Sequence, residues 1–165
     1  MNPLRLVKTE SFETITVTMQ PILSSDHGEF VEMAMQYFRS LNPEFDPQPD
    51  WKQLYFQNIL SDLSLFVRWI LADGQRVGFI MFGLERHRIL PRVGGAIYEL
   101  YIQPEFRRKG IAATAARQAI SELRAQSPSK IELQIMTGNH GATAFWKNLG
   151  FCRVSERYVL PEAKK

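Results

Sequence analysis

The stretch from Ile97 to Leu123 constrains the fold of this chain more than any other. An apolar run, Ile97 to Ile102, lies within a segment, Ala96 to Gln103, that reads as a strand and stops at Pro104. Arg107-Arg108-Lys109-Gly110 follows, and then Ile111, Ala115, Ala119 and Leu123 step by fours along an alanine-rich segment. A continuous apolar run bounded by turn residues is the pattern of a buried strand, and steps of four are the pattern of a helix face. The first N–H groups of such a helix have no intrahelical partner, and the helix dipole adds partial positive charge there. Gly110 lets the backbone come close to a ligand without a Cβ in the way. With three cations beside it, this junction suits a pyrophosphate.

The rest of the chain alternates in the same manner. Thr14 to Met19 alternates as a first strand, and Asp26 with Glu29 three residues on marks a helix start. Phe30, Ala34, Tyr37, Phe38 and Leu41 share a helical face, 42–50 is a loop with three prolines and three acids, and Trp51 to Leu60 is a second helix. Asp73-Gly74 between two β-rich runs, Leu65 to Ala72 and Gln75 to Leu84, predicts a hairpin. His87 to Gly95 is a polar connection. Beyond Ser127-Pro128-Ser129 come a strand at Ile131 to Ile135, a helix from Asn139 to Asn148, and a last strand over Phe151 to Val159. The predicted class is α/β (α+β), a mixed and mostly antiparallel central sheet of six to seven strands flanked by about four helices.

Composition narrows the classes of function. The 165 residues suffice for one domain, expected over 1–165. A net charge of +3, dispersed apart from Arg107 to Lys109 and the terminal lysines, suits an anionic ligand without the basic, aromatic-studded face of a nucleic-acid binder. One cysteine, Cys152, and three scattered histidines supply neither a disulfide nor a metal site. The longest apolar run, Leu63 to Ala72, contains Arg68 and is too short for a bilayer, and Met1 to Gln20 has no signal-peptide core. The expectation is a cytoplasmic protein with neither nucleic acid nor membrane as partner.

Three features together resemble the GNAT superfamily of N-acetyltransferases. They are the Arg-x-x-Gly-x-Ala spacing of 107–112, the element order along nearly the whole chain, and Asn139-x-x-Ala142-x-x-Phe145-Trp146-Lys147-x-x-Gly150-Phe151. The resemblance implies transfer of an acetyl group from acetyl-coenzyme A to a primary amine, directly in a ternary complex and without a metal. It implies that Leu100, Tyr101 and Ile102 pair with the pantetheine arm along a strand splayed from its neighbour. An amide near Leu100 or Ile102 would then face the thioester oxygen. Arg107, Arg108, Lys109, Gly110, Ile111, Ala112 and Ala113 would hold the pyrophosphate, with Asn139 and Phe145 beside the arm. Lys147 is either a phosphate contact or a solvated lysine.

Glu99 is the candidate for general base or amine anchor, since an alkyl ammonium with a pKa of about 10.4 must lose a proton before it attacks. The structural alternative is a pair with an arginine on a neighbouring strand, such as Arg68. Tyr98, its neighbour, faces the other way by strand parity. The chain departs from the family at Trp146, where a tyrosine often protonates the leaving thiolate. Indole N–H is no acid at neutral pH, and Tyr101 or Tyr158 is open as a substitute. That departure also keeps a non-catalytic acyl-coenzyme A binding or sensing module in view.

Cys152 is expected to be buried and inert. His27, His87 and His140 form no pattern. Glu44, Asp46 and Asp50 with Phe45 and Trp51 either wall an acceptor site or belong to a solvated loop, and His87 to Arg92 adds positive charge near the other wall. A homodimer through exposed strand edges is admissible.

Overall fold

The computed structural model describes residues 14–86 and 92–160, so His87 and most of its connection lie outside the described residues. The chain divides into two compact units, 1–133 and 134–165.

The first unit holds a five-stranded sheet in sequence order: β1 (Val17–Pro21), β2 (Leu65–Ala72), β3 (Gln75–Arg86), β4 (Val93–Ile102) and β5 (Ile131–Leu133). The first four are antiparallel neighbours, and β5 joins β4 in parallel. Asp73 and Gly74 both take positive φ, 49° and 83°, as a two-residue hairpin turn requires. Asp73 also ties the edge strand down. Its N–H donates to the Thr16 carbonyl at 2.9 Å, and its Oδ1 accepts from Thr16 N–H at 2.8 Å.

Alternation along the strands divides the sheet into two faces. Val67, Trp69 and Leu71 of β2, Phe79 and Met81 of β3 and Tyr101 of β4 form one face. That face is covered by α1 (His27–Leu41) and α2 (Trp51–Ser61) through Phe30, Val31, Ala34, Phe56 and Ile59. Phe30 is fully buried, with Trp69 and Phe79 edge-on to it at 5.7 and 5.1 Å. The opposite face receives α3 (Ile111–Ala125), whose Ala115, Ala116, Ala119 and Leu123 are fully buried. The alanines let the helix lie close to the strands. Gly95 of β4 completes the fit, since a Cβ there would stand 3.4 Å from the Leu123 side chain.

The described sheet has five strands rather than the six to seven expected, and further details differ. Asp26 precedes α1, but its carboxylate does not cap that helix. It accepts instead from Leu23 N–H and Trp69 Nε1–H, at 2.9 and 3.1 Å, and faces Arg76 at 3.1 Å. The neighbouring β2 and β3 offer stronger donors than the helix start, and they pin α1 to the hairpin. The first strand begins at Val17 rather than Thr14. In the second unit, α4 (His140–Asn148) forms as predicted, but 151–160 is not a strand. Its polar–apolar alternation meets no pairing partner among the described residues, and Val154, Tyr158 and Leu160 stand exposed. A strand exists only through its ladder, so the alternation alone does not produce one.

β3 and β4 approach so closely at Gly78 that an added Cβ would sit 2.0 Å from the Tyr101 carbonyl oxygen. Gly78→Ala must therefore push the strands apart where β4 is most used. We expect it to cost about 2 kcal/mol or more, as overpacked sites do, in a urea unfolding midpoint measured at unchanged slope.

Candidate active site

β4 leaves its parallel neighbour after three residues. Gly95, Ala96 and Ile97 pair with Ile131, Glu132 and Leu133, and there β5 ends while β4 continues to Ile102. Among the described residues, β4 from Glu99 onward is paired only with β3. The Gln103 N–H donates to the Val77 carbonyl at 2.9 Å, which fixes the phase of the ladder. Alternation then turns the backbone groups of Tyr101 toward β3 and those of Leu100 and Ile102 toward the open edge. The outward carbonyl of Ile102 accepts from Arg107 Nε at 2.8 Å. The predicted splay is thus a feature of the first unit, with Leu100 and Ile102 outward; Tyr101, expected beside them on the open edge, instead spends its backbone groups on β3.

The open edge runs into the start of α3. Arg107 N–H donates to the Pro104 carbonyl and Thr114 N–H to that of Gly110. Between them, the six N–H groups of Arg108 through Ala113 donate to no partner among the described residues. Arg108 and Gly110 have positive φ, 61° and 78°, so the loop turns sharply before the helix. No atom lies within 4 Å of a Cβ built at Gly110, which leaves the space above the helix start clear. The cations divide their work. Arg107 folds back over the Tyr101 ring, 5.6 Å from its centroid, and braces the end of β4. Lys109 lies over Phe106 at 5.4 Å, and with Arg108 it is exposed. This is the donor set a doubly charged phosphate group needs, and the residues present fit the diphosphate of coenzyme A.

Glu99 reaches its environment through a bulge. Pairing jumps from Met81↔Glu99 to Phe82↔Ile97 and leaves Tyr98 without an opposite residue. Paired residues share a face, so Ile97 goes with Phe82 to the α3 side and Glu99 with Met81 to the α1/α2 side. Simple parity would have put Ile97 and Glu99 together, and a bulge is the device that re-aims a side chain. Tyr98 is half-exposed and donates to Glu85 at 3.0 Å. Arg68 lies on the opposite face and pairs with Glu122 at 3.7 Å, so it cannot hold Glu99.

What holds Glu99 is the Tyr37 hydroxyl, which donates to its Oε2. Burial pushes the Glu99 carboxyl above its ordinary 4.5, and the Tyr37 donor pulls it back down. The phenols of Tyr37 and Tyr55 are pushed up by burial and then by the Glu99 charge. Tyr55 packs flat on Trp51 at 4.8 Å, and its buried hydroxyl has no partner among the described residues. The sequence shows Tyr37 only as one member of a helix face. Nothing in its spacing pairs it with a residue 62 positions away.

Other candidates take their places less eventfully. Phe45 and Trp51 pack with Phe38 at 5.1 and 5.5 Å, so these aromatics anchor the loop to its helices, and Glu44, Asp46 and Asp50 are solvated. Tyr101 is buried, and burial raises its hydroxyl pKa while Arg107 opposes the rise. In the second unit Asn139 caps α4, its Oδ1 accepting from Ala142 N–H at 3.0 Å. Trp146 lies edge-on to Phe145 and Phe151 at 4.9 and 5.4 Å, a packing role for the residue at the usual tyrosine position. Lys147 and His140 are exposed, and Tyr158 is exposed and bonded to Glu156. Cys152 is exposed rather than buried, because the strand that would have carried it does not form. No helix among the described residues is long and apolar enough to cross a membrane.

Comparison with known proteins gives this geometry relatives. A model described as "Acetyltransferase (GNAT) family" matches residues 29–151. An uncharacterized N-acetyltransferase of Methanocaldococcus jannaschii is 26% identical over 139 residues, which cover 82% of this chain and 61% of that protein. The chain therefore spans about three fifths of the length of this curated relative. Among solved structures, a ribosomal-protein-alanine N-acetyltransferase from Brucella melitensis biovar Abortus 2308 superposes with a TM-score of 0.70 at 19% identity, over 88% of this chain and 99% of that one. An aminoglycoside acetyltransferase from an uncultured soil metagenomic sample, in complex with sisomicin, has a TM-score of 0.71 at 13% identity, over 90% and 97%. At these identities the two structures share the fold.

A buried carboxyl with a raised pKa takes up a proton on folding. Its contribution favours the folded state below the ordinary value of 4.5 and is lost as pH rises through the higher folded value. Glu99→Gln should therefore raise the melting temperature at about pH 8, and the gain should shrink toward about pH 4. Scanning calorimetry of both proteins across that range measures it.

Proposed function

The chain belongs to the acetyltransferase (GNAT) family, and on that premise we propose that it moves an acetyl group from acetyl-coenzyme A to a primary amine, by direct transfer in a ternary complex. One observation carries the reading. The open edge of β4, with Leu100 and Ile102 outward, is followed, after one short turn over Pro104–Phe106, by six N–H groups from Arg108 to Ala113 that have no partner among the described residues. A long ligand with a hydrogen-bonding arm and a diphosphate end matches that order of donors.

When bound, acetyl-coenzyme A supplies the acetyl group as an activated thioester. The chain's own groups do the rest. The N–H groups of Arg108 to Ala113 and the exposed Arg108 and Lys109 take the phosphate charge. The outward amide of Leu100 or Ile102 donates where negative charge develops on an acyl oxygen. Glu99, facing the α1/α2 side, takes the proton from the incoming ammonium or anchors that amine. Its raised pKa brings it closer to the operating pH, which suits a base. Acceptor classes to be compared are an aminoglycoside, an aliphatic diamine and a peptide with a free N-terminus.

Thermal shift tests the ligand. Coenzyme A and acetyl-coenzyme A at a hundred times their dissociation constants should each stabilise by about 2.7 kcal/mol, several degrees in melting temperature, while ATP should not. Gly110→Asp keeps a residue that tolerates positive φ but sets a carboxylate at the helix start. It should melt like the parent and lose the shift. A parent that ignores both coenzymes removes the proposal.

Thiol release with the amine panel tests the chemistry. Glu99→Gln should keep its coenzyme A shift and lose about 100-fold in turnover, the usual scale of a general base. Turnover equal to the parent's would take Glu99 out of the mechanism.

A further inference from the structure

We propose that Tyr37 is a positioning residue for Glu99: its hydroxyl holds Oε2 and leaves Oε1 free to meet the amine. The proposal rests on Glu99 acting as base or anchor, and it concerns a residue on α1 that no motif of the sequence singles out.

The phenol is held by its surroundings. Its ring lies edge-on to Phe79 at 5.7 Å and packs on Phe38 at 5.1 Å and on Tyr101 at 5.7 Å. Phe79 and Tyr101 are the paired residues next to Met81↔Glu99 on the same face of the sheet. The ring therefore sits on the two strands that carry the carboxylate, and the hydroxyl is aimed by packing rather than by a flexible stem. An ordinary glutamate has rotamer freedom that costs free energy to freeze. Here a donor from a different element fixes it before any substrate arrives.

The same bond bears on the charge state. The titratable groups that face Glu99 are Tyr37 from α1, Tyr55 from α2 and Tyr101 from β4, and all three phenols are raised by burial, so they stay neutral. Among the described residues no ion pair reaches Glu99. The Tyr37 hydrogen bond is thus the interaction that opposes desolvation and favours the ionised carboxylate. Ionisation is what a base requires: an ammonium proton passes to Oε1 and leaves the amine neutral, and a carboxyl already protonated cannot accept it.

The sign follows. Without the donor, the ionised form loses support and the Glu99 midpoint rises. The test is a carbon-13 titration of the glutamate side-chain carboxyls in the full chain, with the Glu99 signal identified by its loss in Glu99→Gln. Tyr37→Phe keeps the ring and its packing. We expect it to raise the Glu99 midpoint by about one pH unit. Tyr55→Phe removes a second nearby phenol, which makes no hydrogen bond to Glu99, and should leave the midpoint in place. An unmoved midpoint in Tyr37→Phe, or an equal rise in Tyr55→Phe, overturns the proposal.

Kinetics supply a second readout. With the amine of the panel that the parent acetylates fastest, Tyr37→Phe should move the acid limb of kcat/KM to higher pH and recover on the alkaline side, with the KM for acetyl-coenzyme A unchanged. A uniform fall at every pH would mark a structural role and overturn the proposal. Glu99→Gln reports separately on the underlying reading: parent-like turnover there removes Glu99 from the chemistry, and the carbon titration still judges the Tyr37 bond by itself.

Discussion

The first unit depends on a change of partnership along β4. Up to Ile97 this strand is held on both sides, by β3 and by β5. Beyond Ile97 it is held by β3 alone, so half of its backbone groups have no ladder to enter. Unpaired backbone groups on an exposed edge invite another chain, and proteins ordinarily blunt them. Here the exposed length is short, and the end of the strand is braced by Arg107 on the Ile102 carbonyl. The edge is therefore left open over the two residues whose amides point outward, and it leads directly to the N–H groups of α3.

The bulge at Tyr98 stands at the same point and serves the other face. It separates Ile97, which packs toward α3, from Glu99, which enters the aromatic layer under α1 and α2. Placing a carboxylate among Tyr37, Tyr55, Phe79 and Tyr101 is unfavourable for the ionised form, and the compensation is a single hydrogen bond. A carboxylate placed in this way is the kind of group the proposed chemistry calls on. Core residues with no such burden, Phe30 and Trp69 for example, are fully buried on the same face. They supply the packing against which the charged group is held.

Legibility in the sequence followed the range of the interactions. The hairpin at Asp73-Gly74 and the helix at Ile111 were plain because both rest on local rules, paired positive φ in one case and four-residue apolar steps in the other. The sharp loop before α3 was legible for the same reason, since glycine, cations and a helix start lie within a few residues. The structural alternative, a pair between Arg68 and Glu99, does not form, because register sets Arg68 on the face of Ile80 and Leu100 and Glu99 on the other. The last strand failed because alternation over 151–159 describes only the willingness to pair. Cys152 followed it into solvent. Asp26 marks the start of α1 as its spacing predicts, and its carboxylate also links that helix to the hairpin.

The sequence by itself determined the order of the main elements from β1 to α4, the placement of the glycines that permit sharp turns, and the identity of the groups that bear charge near α3. Each of these is settled by neighbours along the chain, through dihedral preference and side-chain periodicity. Only the tertiary structure decided where β4 parts from β5, which face Glu99 takes, and that Tyr37 from a distant helix meets it. Those outcomes depend on register and on packing between segments far apart in sequence. A one-residue slip in pairing reverses every side chain beyond it, and no local pattern records such a slip.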